Sequence, residues 1–552
     1  MPSKLLWIVT LASGLAPAQP LPKLQARVEQ LQSRIENTES IRAIKRLQTA
    51  YGHYVEFGLW NDFADLFTDD AVTNYQQGAR GREQVRKLFF DQVGQGKLGL
   101  ADGRIYPHIL FQPVITLAPG GRTAKGRWRI LAMLGGMGGS ATWYSGVYEN
   151  EYVLENGVWK ISVLRSEPKA TAAYTAAGWK DSGTSIPLHY TAASVSHPVP
   201  DGAVQAGAAA SLAVLSEQVK QLEQRTARLN DQAAVTNVLD SYGDTVDGKL
   251  WNQAADLFAA NGTLELGLQG VYVGKARIGK ALEQLSPQGL NDHVYLQTLV
   301  TVDGRVAKAR GVEFIFSSAN GGELSEGVFE NTFVKEPGGW KIQSVHFYPR
   351  MIVDAATGWG KSAKAAPGLS SSLPPDRPPT AAYGIYPKFS VPPFHFDNPA
   401  TGKPPQYPDG VLSRTATVSA PVASREIKTA AELNTRLAAV ERGMVAAETY
   451  DVAENLVHAN GYSLDGTASL SGGTLFVSQV LQPVIDVAAD GKSAKVRARR
   501  LDLSGVSGAA GNWTAGVIEG KMISEGGAWR LIDTPSAPLW TAPYPGGWGR
   551  LR

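Results

Sequence analysis

Residues 51–67 read YGHYVEFGLWNDFADLF, and residues 242–258 read YGDTVDGKLWNQAADLF. Tyr51-Gly52 matches Tyr242-Gly243, Glu56 matches Asp247, Trp60 matches Trp251, and Leu66-Phe67 matches Leu257-Phe258. A third, worn version runs Asn460, Gly461, Asp465, Gly466 and then departs. Self-similarity at a long period decides the architecture before any single motif is read. One domain is written three times, the third time incompletely.

Each copy opens on a helix with a heptad seam. Leu24, Val28, Leu31 and Ile35 alternate steps of four and three, as do Leu212, Leu215, Val219 and Leu222, and Leu433, Leu437, Val440 and Met444. A seam of about two heptads is too short for a free coiled coil, so the helix packs on its own domain or on a sister helix. In copy one it runs on through Ile41, Ile44 and Leu47, with Glu56 at its C-terminal end and Gly58 as the stop. The pattern then predicts a helix over residues 61–67, a strand over 71–75 and a helix over 82–90. Strands follow over 105–117, 124–134, 144–154 and 158–164, punctuated by Pro119-Gly120-Gly121 and Asn156-Gly157. Copy two repeats this order, with strands over 294–302, 307–316, 327–334 and 340–347. Helices first and antiparallel strands after give an α+β class, with helices on one face of a curved sheet.

Copy three keeps Gln482-Pro483-Val484-Ile485, close to Gln112-Pro113-Val114-Ile115. Between Gly466 and Ser478 it has no room for the second and third helices and the first strand. It should hold no pocket and lean on another copy, burying Trp513 or Trp529. The tails repeat as well: Gly178-Trp179, Gly358-Trp359 and Gly547-Trp548, then Pro187 before His189 and Pro393 before His395. These two histidines read as surface packing. A Pro-rich stretch near residues 365–388 cannot pair strands through its prolines and should lie extended over a surface.

A chain of 552 residues needs more than one core. Apolar content of 43% is that of a globular protein. A net charge of +3 without a Lys/Arg block points away from nucleic acid and from an anionic membrane surface. Without cysteine there is no disulfide and no thiolate chemistry. Lys4, the apolar run Leu5 to Ala12 and Ala16-Pro17-Ala18 read as an export signal cleaved near Gln19. The run is too short to span a bilayer, so a periplasmic or secreted protein with no membrane span after cleavage is expected. The domain reading is 1–18 signal peptide, 19–180 domain one, 181–210 linker, 211–361 domain two, 362–424 Pro-rich linker and 425–552 truncated domain three.

A helix carrying Tyr and an acid before a Trp, then Leu-Phe, a strand opening on His108 or His293, and a last strand with Trp159-Lys160 or Trp340-Lys341 resembles the SnoaL-like branch of the nuclear transport factor 2-like superfamily. The resemblance covers most of copies one and two and the strands of copy three. It implies a cone, a curved sheet wrapped on helices around a pocket. It also implies a choice between cofactor-free lyases, dehydratases or isomerases and non-catalytic ligand carriers.

Carried over residue by residue, the pocket Asp of scytalone dehydratase falls on Glu56 and Asp247, and a pocket His falls on His108 and His293. The second pocket His has no counterpart on the strands of Arg127 and Arg310. The residues lining a substrate would be Tyr51, Tyr54, Arg127, Tyr148, Tyr242, Arg310 and Phe329. A carboxylate beside an imidazole can fix its tautomer and shuttle a proton. The bland alternative is a helix-end acid and a histidine satisfied by backbone, with Arg127 and Arg310 paired to Glu149 and Glu330 across a sheet. No cluster has metal-ligand spacing, and no phosphate loop or nucleophile elbow is present. The expected function is an exported lyase, dehydratase or isomerase acting on a small aromatic or cyclic molecule, without cofactor or metal. The alternative is a periplasmic ligand-binding or scaffold protein. Copies one and two are expected to pair within the chain as a pseudo-dimer, and homo-oligomerisation is left open by the sequence.

Overall fold

The structure is a computed structural model that describes residues 19–99, 101–183, 187–196, 210–388, 390–406, 425–468 and 474–551. The expected signal peptide, about half of the first expected linker and the end of the second lie outside these residues.

Copy one comprises α1 (Leu21–Glu56), α2 (Trp60–Asp65), β1 (Phe67–Thr73), β2 (Ala79–Arg80), α3 (Arg82–Gln92), β3 (His108–Leu117), β4 (Thr123–Gly135), β5 (Ala141–Glu155), β6 (Val158–Leu164), β7 (Ser166–Ala173), β8 (Lys180–Asp181) and, in its tail, α4 (Ala192–Ser196). Copy two comprises α5 (Leu212–Asp247), α6 (Trp251–Asp256), β9 (Phe258–Leu266), β10 (Val271–Val273), α7 (Lys275–Leu285), β11 (Asn291–Asp303), β12 (Val306–Ser317), β13 (Glu323–Glu336) and β14 (Gly339–Asp354). In copy three α8 (Ala430–Ala468) leads into β15 (Thr474–Val477), β16 (Val480–Val487), β17 (Ser493–Val506), β18 (Ala510–Glu525), β19 (Ala528–Ile532) and β20 (Ser536–Pro543). The middle of the domain is missing there, as the residue count requires.

The sheets run β2-β1-β6-β5-β4-β3 and β10-β9-β14-β13-β12-β11. All their pairings are antiparallel except β1 with β6 and β9 with β14, which are parallel. Alternation along the strands decides the two faces. In copy two, Val294, Leu296, Val312, Phe314 and Phe316 join a shared core, whereas His293, Tyr295, Glu313 and Ile315 point into the cone.

The shared core contains side chains from all three sheets, with Trp143, Trp179, Trp359, Trp513 and Trp548 fully buried. Trp359 stacks edge-on against Trp143 at 5.2 Å and donates to Leu134 O at 3.0 Å. Trp179 meets Trp513 at 5.0 Å, and Trp548 donates to Glu323 O at 3.0 Å. The tail of copy one therefore lies on copy three, that of copy two on copy one, and that of copy three on copy two. Each repeated Gly-Trp is a ring joint.

The heptad seams follow the same cyclic order. Leu24, Val28, Leu31 and Ile35 pack with Leu215, Val219 and Leu222 and with Leu433, Leu437, Val440 and Met444 as one parallel three-helix bundle. Its flanks are laced by Arg27–Glu441 at 2.7 Å, Arg34–Glu448 at 2.5 Å, Arg225–Glu39 at 2.6 Å and Arg436–Glu223.

Copies one and two thus do not form the expected twofold pair. They are two members of a pseudo-threefold ring. A pair would leave one side of each seam and one third of the tryptophan core in water.

Three glutamines key the ring. Gln112, Gln297 and Gln482 sit at positive φ in β3, β11 and β16, each at a break in strand register. Gln112 accepts from Val480 N at 2.9 Å, Gln297 from Leu110 N at 2.7 Å and Gln482 from Tyr295 N at 3.1 Å. Each side chain lies over a glycine of the neighbouring helix. A Cβ on Gly52 would come 2.1 Å from Gln297 Oε1, one on Gly461 2.5 Å from Gln112 Nε2, and one on Gly243 2.8 Å from Gln482 Nε2. The repeated glycine after Tyr51, Tyr242 and Asn460 is a place for a neighbour's amide.

Candidate active site in copy two

The four residues expected to form two acid–histidine pairs have separate fates. Glu56 is buried, but it faces copy two, where Arg350 bridges it to Glu326. Asp247 lies half-buried against copy three, where Arg499 bridges it to Asp292. Asp465 pairs with Arg129 of copy one at 2.6 Å. The repeated helix-end acid therefore meets a neighbour's guanidinium at every joint. The helix end disfavours its charge, and the arginine offsets this. Burial pushes Asp247 up to about 7 against the pull of Arg499. Asp247 does touch residue 293, but through the backbone: its Oδ1 accepts from His293 N at 2.8 Å. Ser478 N donates to Asp465 Oδ1 in the same way, at 2.8 Å.

His108 lies inside copy one, stacked on Tyr106, with Nε2 2.9 Å from the Tyr148 hydroxyl. Tyr148 in turn lies 3.3 Å from the Tyr51 hydroxyl. Tyr51, Phe67 and Phe89 pack around Phe63 and fill the remaining space, with ring centroids 5.3, 4.9 and 4.8 Å from it. Burial without a charged partner pulls His108 down to about 3, so it is a neutral core histidine.

Copy two differs at positions around the histidine. Ile130 of copy one is replaced by Glu313, and Tyr148 by Phe329. The Glu313 carboxylate reaches His293 Nδ1 at 2.5 Å, and the Asn291 amide lies 3.0 Å from Nε2. Burial alone would lower the His293 pKa. The Glu313 hydrogen bond and the Glu313, Asp247 and Asp292 charges outweigh burial and raise it. The dyad opens on a cavity of about 170 Å³. Leu266, Leu282, Leu285, Val345 and Phe347 form an apolar wall, while Asn291, Ser317, Glu323 and Ser325 line a polar end. Pro367, from the Pro-rich stretch, closes one side. That stretch lies extended along β10, where Arg377 bridges to Val271 and Leu373 O accepts from the Tyr272 hydroxyl at 2.9 Å.

Of the other expected ligand residues, only Tyr242 lines this cavity. Tyr51 and Tyr148 are spent on the hydrogen-bonded chain in copy one. Tyr54 packs on Phe394 and Phe396 of the second tail. Phe329 packs on Tyr295 at 5.2 Å. Arg127 pairs with Glu149 at 2.6 Å and Arg310 with Glu330 at 3.0 Å, so they hold strands and joints together and do not reach the cavity. His189 and His395 are buried partners of those same glutamates, not surface packing. Their tails cross protein interfaces and bury them. The cavity residue missed in the sequence is Glu313, and its signal was an acid inside the apolar run Val312 to Phe316. Among the described residues no three metal-binding side chains cluster, and no helix is long and apolar enough to cross a membrane.

The family model of the SnoaL-like domain matches residues 36–165 and 227–346. Copies one and two are SnoaL-like domains. Among solved structures, a candidate scytalone dehydratase from Novosphingobium aromaticivorans is 21% identical over 27% of this chain and 98% of its own, with a TM-score of 0.23. An NTF2-like protein with a cystatin-like fold from the same organism is 20% identical over 25% and 90%, with a TM-score of 0.21. A protein of unknown function from Mycobacterium tuberculosis is 18% identical over 21% and 74%, with a TM-score of 0.20. No curated protein matches the chain. The SnoaL-like domain of copy two holds the cavity and the dyad, and that of copy one holds the filled interior.

Proposed function

We propose that copy two is a cofactor-independent acid–base enzyme, a dehydratase-type lyase or an isomerase, acting on a small aromatic or cyclic molecule. The observation that carries this reading is the Glu313–His293 pair facing a cavity with one apolar and one polar end. A cavity of about 150 Å³ accommodates one benzene-sized ring, so about 170 Å³ suits a single substituted ring.

Glu313 fixes Nδ1 as the protonated nitrogen, and a substrate reaches Nε2 by displacing the Asn291 amide. The raised pKa of His293 favours the imidazolium, so Nε2–H acts first as the acid. In a dehydration the leaving hydroxyl takes this proton as the C–O bond breaks. The neutral Nε2 then removes the adjacent C–H proton, whose electron pair becomes the double bond. Water leaves and the imidazolium is restored. In an isomerisation the same nitrogen removes and returns a proton beside a carbonyl. Tyr242 and Tyr295 line the cavity next to Glu313, which with burial keeps both hydroxyls protonated and able to donate to a substrate oxygen.

The test is turnover of a panel of hydroxylated cyclic and aromatic compounds, followed by absorbance. His293→Gln and Glu313→Gln should each lower kcat by about 10²-fold or more while ligand binding persists. His108→Gln and Glu56→Gln should leave turnover intact if the protein stays folded. If compounds bind and none is turned over, or if the His293 and Glu313 variants match the native protein, copy two is a ligand carrier.

A further inference from the structure

The three long helices meet the three strand bulges around a second chamber, of about 180 Å³, on the pseudo-threefold axis. Its helical lining comes from equivalent positions of each copy: Arg42, Lys45, Arg46 and Thr49 on α1, Ala233, Thr236 and Asp240 on α5, and Asp451, Glu454 and His458 on α8. One position breaks the symmetry. Asn237 on α5 exchanges two hydrogen bonds with the Ile485 backbone, at 2.7 and 3.0 Å. Asn455 on α8 does the same with Ile115, at 2.9 and 3.2 Å. These amides seal two of the three joints between helix and strand. The equivalent residue on α1 is Arg46, and the equivalent strand residue is Val300 of copy two. No such seal forms there, and both residues line the chamber.

Arg46 makes no hydrogen bond or ion pair with any described residue. The other cations have partners: Lys45 pairs with Glu454, and Arg42 with Asp451 at 3.2 Å. Asp240 also lines the chamber, and burial with the Asp244 and Glu454 carboxylates disfavours its charge. Arg46 lines the chamber and is exposed, while surrounding protein and nearby Arg228 lower its pKa. An anion would relieve both effects. The Tyr450 hydroxyl, in the chamber wall, is a buried donor with no hydrogen-bond partner. Leu110, Trp128, Leu296, Leu299 and Val300 also line the chamber and suit a hydrocarbon body.

We propose that this axial chamber binds a small organic carboxylate, with the carboxylate on Arg46 and the apolar body against Trp128 and Leu299. The site is separate from the copy-two cavity and stands whether or not that cavity is catalytic.

The probes are benzoate, acetate and inorganic phosphate, titrated into the full chain by calorimetry, with Trp128 fluorescence as a second signal. Benzoate should bind, and more tightly than acetate or phosphate. Arg46→Asn should restore the seal seen at the other two joints, weakening benzoate at least about tenfold and raising the melting temperature. Arg46→Met, which removes the charge without supplying the amide, should weaken benzoate equally without the gain in melting. His293→Gln should retain this binding. The proposal is overturned if no probe binds the native protein, if phosphate binds more tightly than benzoate, if either Arg46 variant keeps the native affinity, or if only His293→Gln loses it.

Discussion

Replacing Gly52 by alanine tests the ring where it is tightest. Gly52 is in the last turns of α1, where alanine is ordinarily favoured over glycine by up to about 1 kcal/mol. Here the added Cβ would lie 2.1 Å from Gln297 Oε1 and 2.7 Å from its Cδ. Gln297 is buried, and its Oε1 accepts from Leu110 N at 2.7 Å. It cannot withdraw without orphaning that amide, which costs about 1–3 kcal/mol. Moving the surrounding backbone instead costs a similar ~1–3 kcal/mol of overpacking. Set against the helix gain, Gly52→Ala should destabilise the protein by up to about 2 kcal/mol, read from urea unfolding followed by tryptophan fluorescence. Gly279→Ala in α7, whose Cβ would meet nothing closer than 3.6 Å, is the control and should be neutral or stabilising. The decisive variant is the pair. In a Gln297→Ala background the obstacle is gone, so Gly52→Ala should become neutral or stabilising. A Gly52→Ala protein that unfolds at native urea concentrations, or one equally destabilised with and without Gln297, refutes the reasoning.

Two further outcomes follow from the joints. Glu326 is pushed up to about 7, and Glu56 is raised, mainly by burial and against the shared Arg350. An acid with a raised folded-state pKa holds a proton that the unfolded chain releases. Its contribution is full below the unfolded value near 4.5 and is lost as pH rises through about 7. The melting temperature of the native protein relative to Glu326→Gln should therefore fall between pH 5 and pH 8, and a flat difference would count against the shared-arginine account. Deleting residues 425–552 removes one helix of the bundle and uncovers Trp143 and Trp179, so the remainder should melt earlier and bind a hydrophobic dye; unchanged melting would mean that copy three is not part of the core.

The heptad seams, the order of elements and the lost middle of copy three could be read because each rests on periodicity or chain length, which are local. The ring could not, although its parts were visible. Gln112 and Gln482 were matched as a repeat, and so were Gly52, Gly243 and Gly461. Sequence does not say that each glutamine lies over the next copy's glycine, because that contact joins residues of different copies, far apart in the chain. The same distance misled the site reading. Glu56 and Asp247 occupy the catalytic position of the resembling family, yet what decides their role is Arg350 and Arg499, which reach them from other copies. Glu313 was overlooked for the converse reason, since it has no counterpart in copy one to draw attention to it.

Fusing three domains in one chain lets equivalent positions differ, and the differences fall where function is proposed. A ring of identical chains would carry the same residue at position 130 and its equivalents, and the same one at position 46 and its equivalents. Here Ile130 fills copy one, while Glu313 arms the histidine of copy two. Asn237 and Asn455 seal two joints, while Arg46 leaves the third unsealed. What stays equivalent is what closure needs: the glutamine on its glycine, the Gly-Trp tail and the acid on a neighbour's arginine. Copy three shows the division most plainly. It has lost the helices and strand that would enclose a pocket, and Ser478 stands where the others have histidine. It still supplies Gln482, Trp548, Asp465 and Arg499 to the ring. Its role is therefore to complete the assembly that holds the copy-two cone in shape.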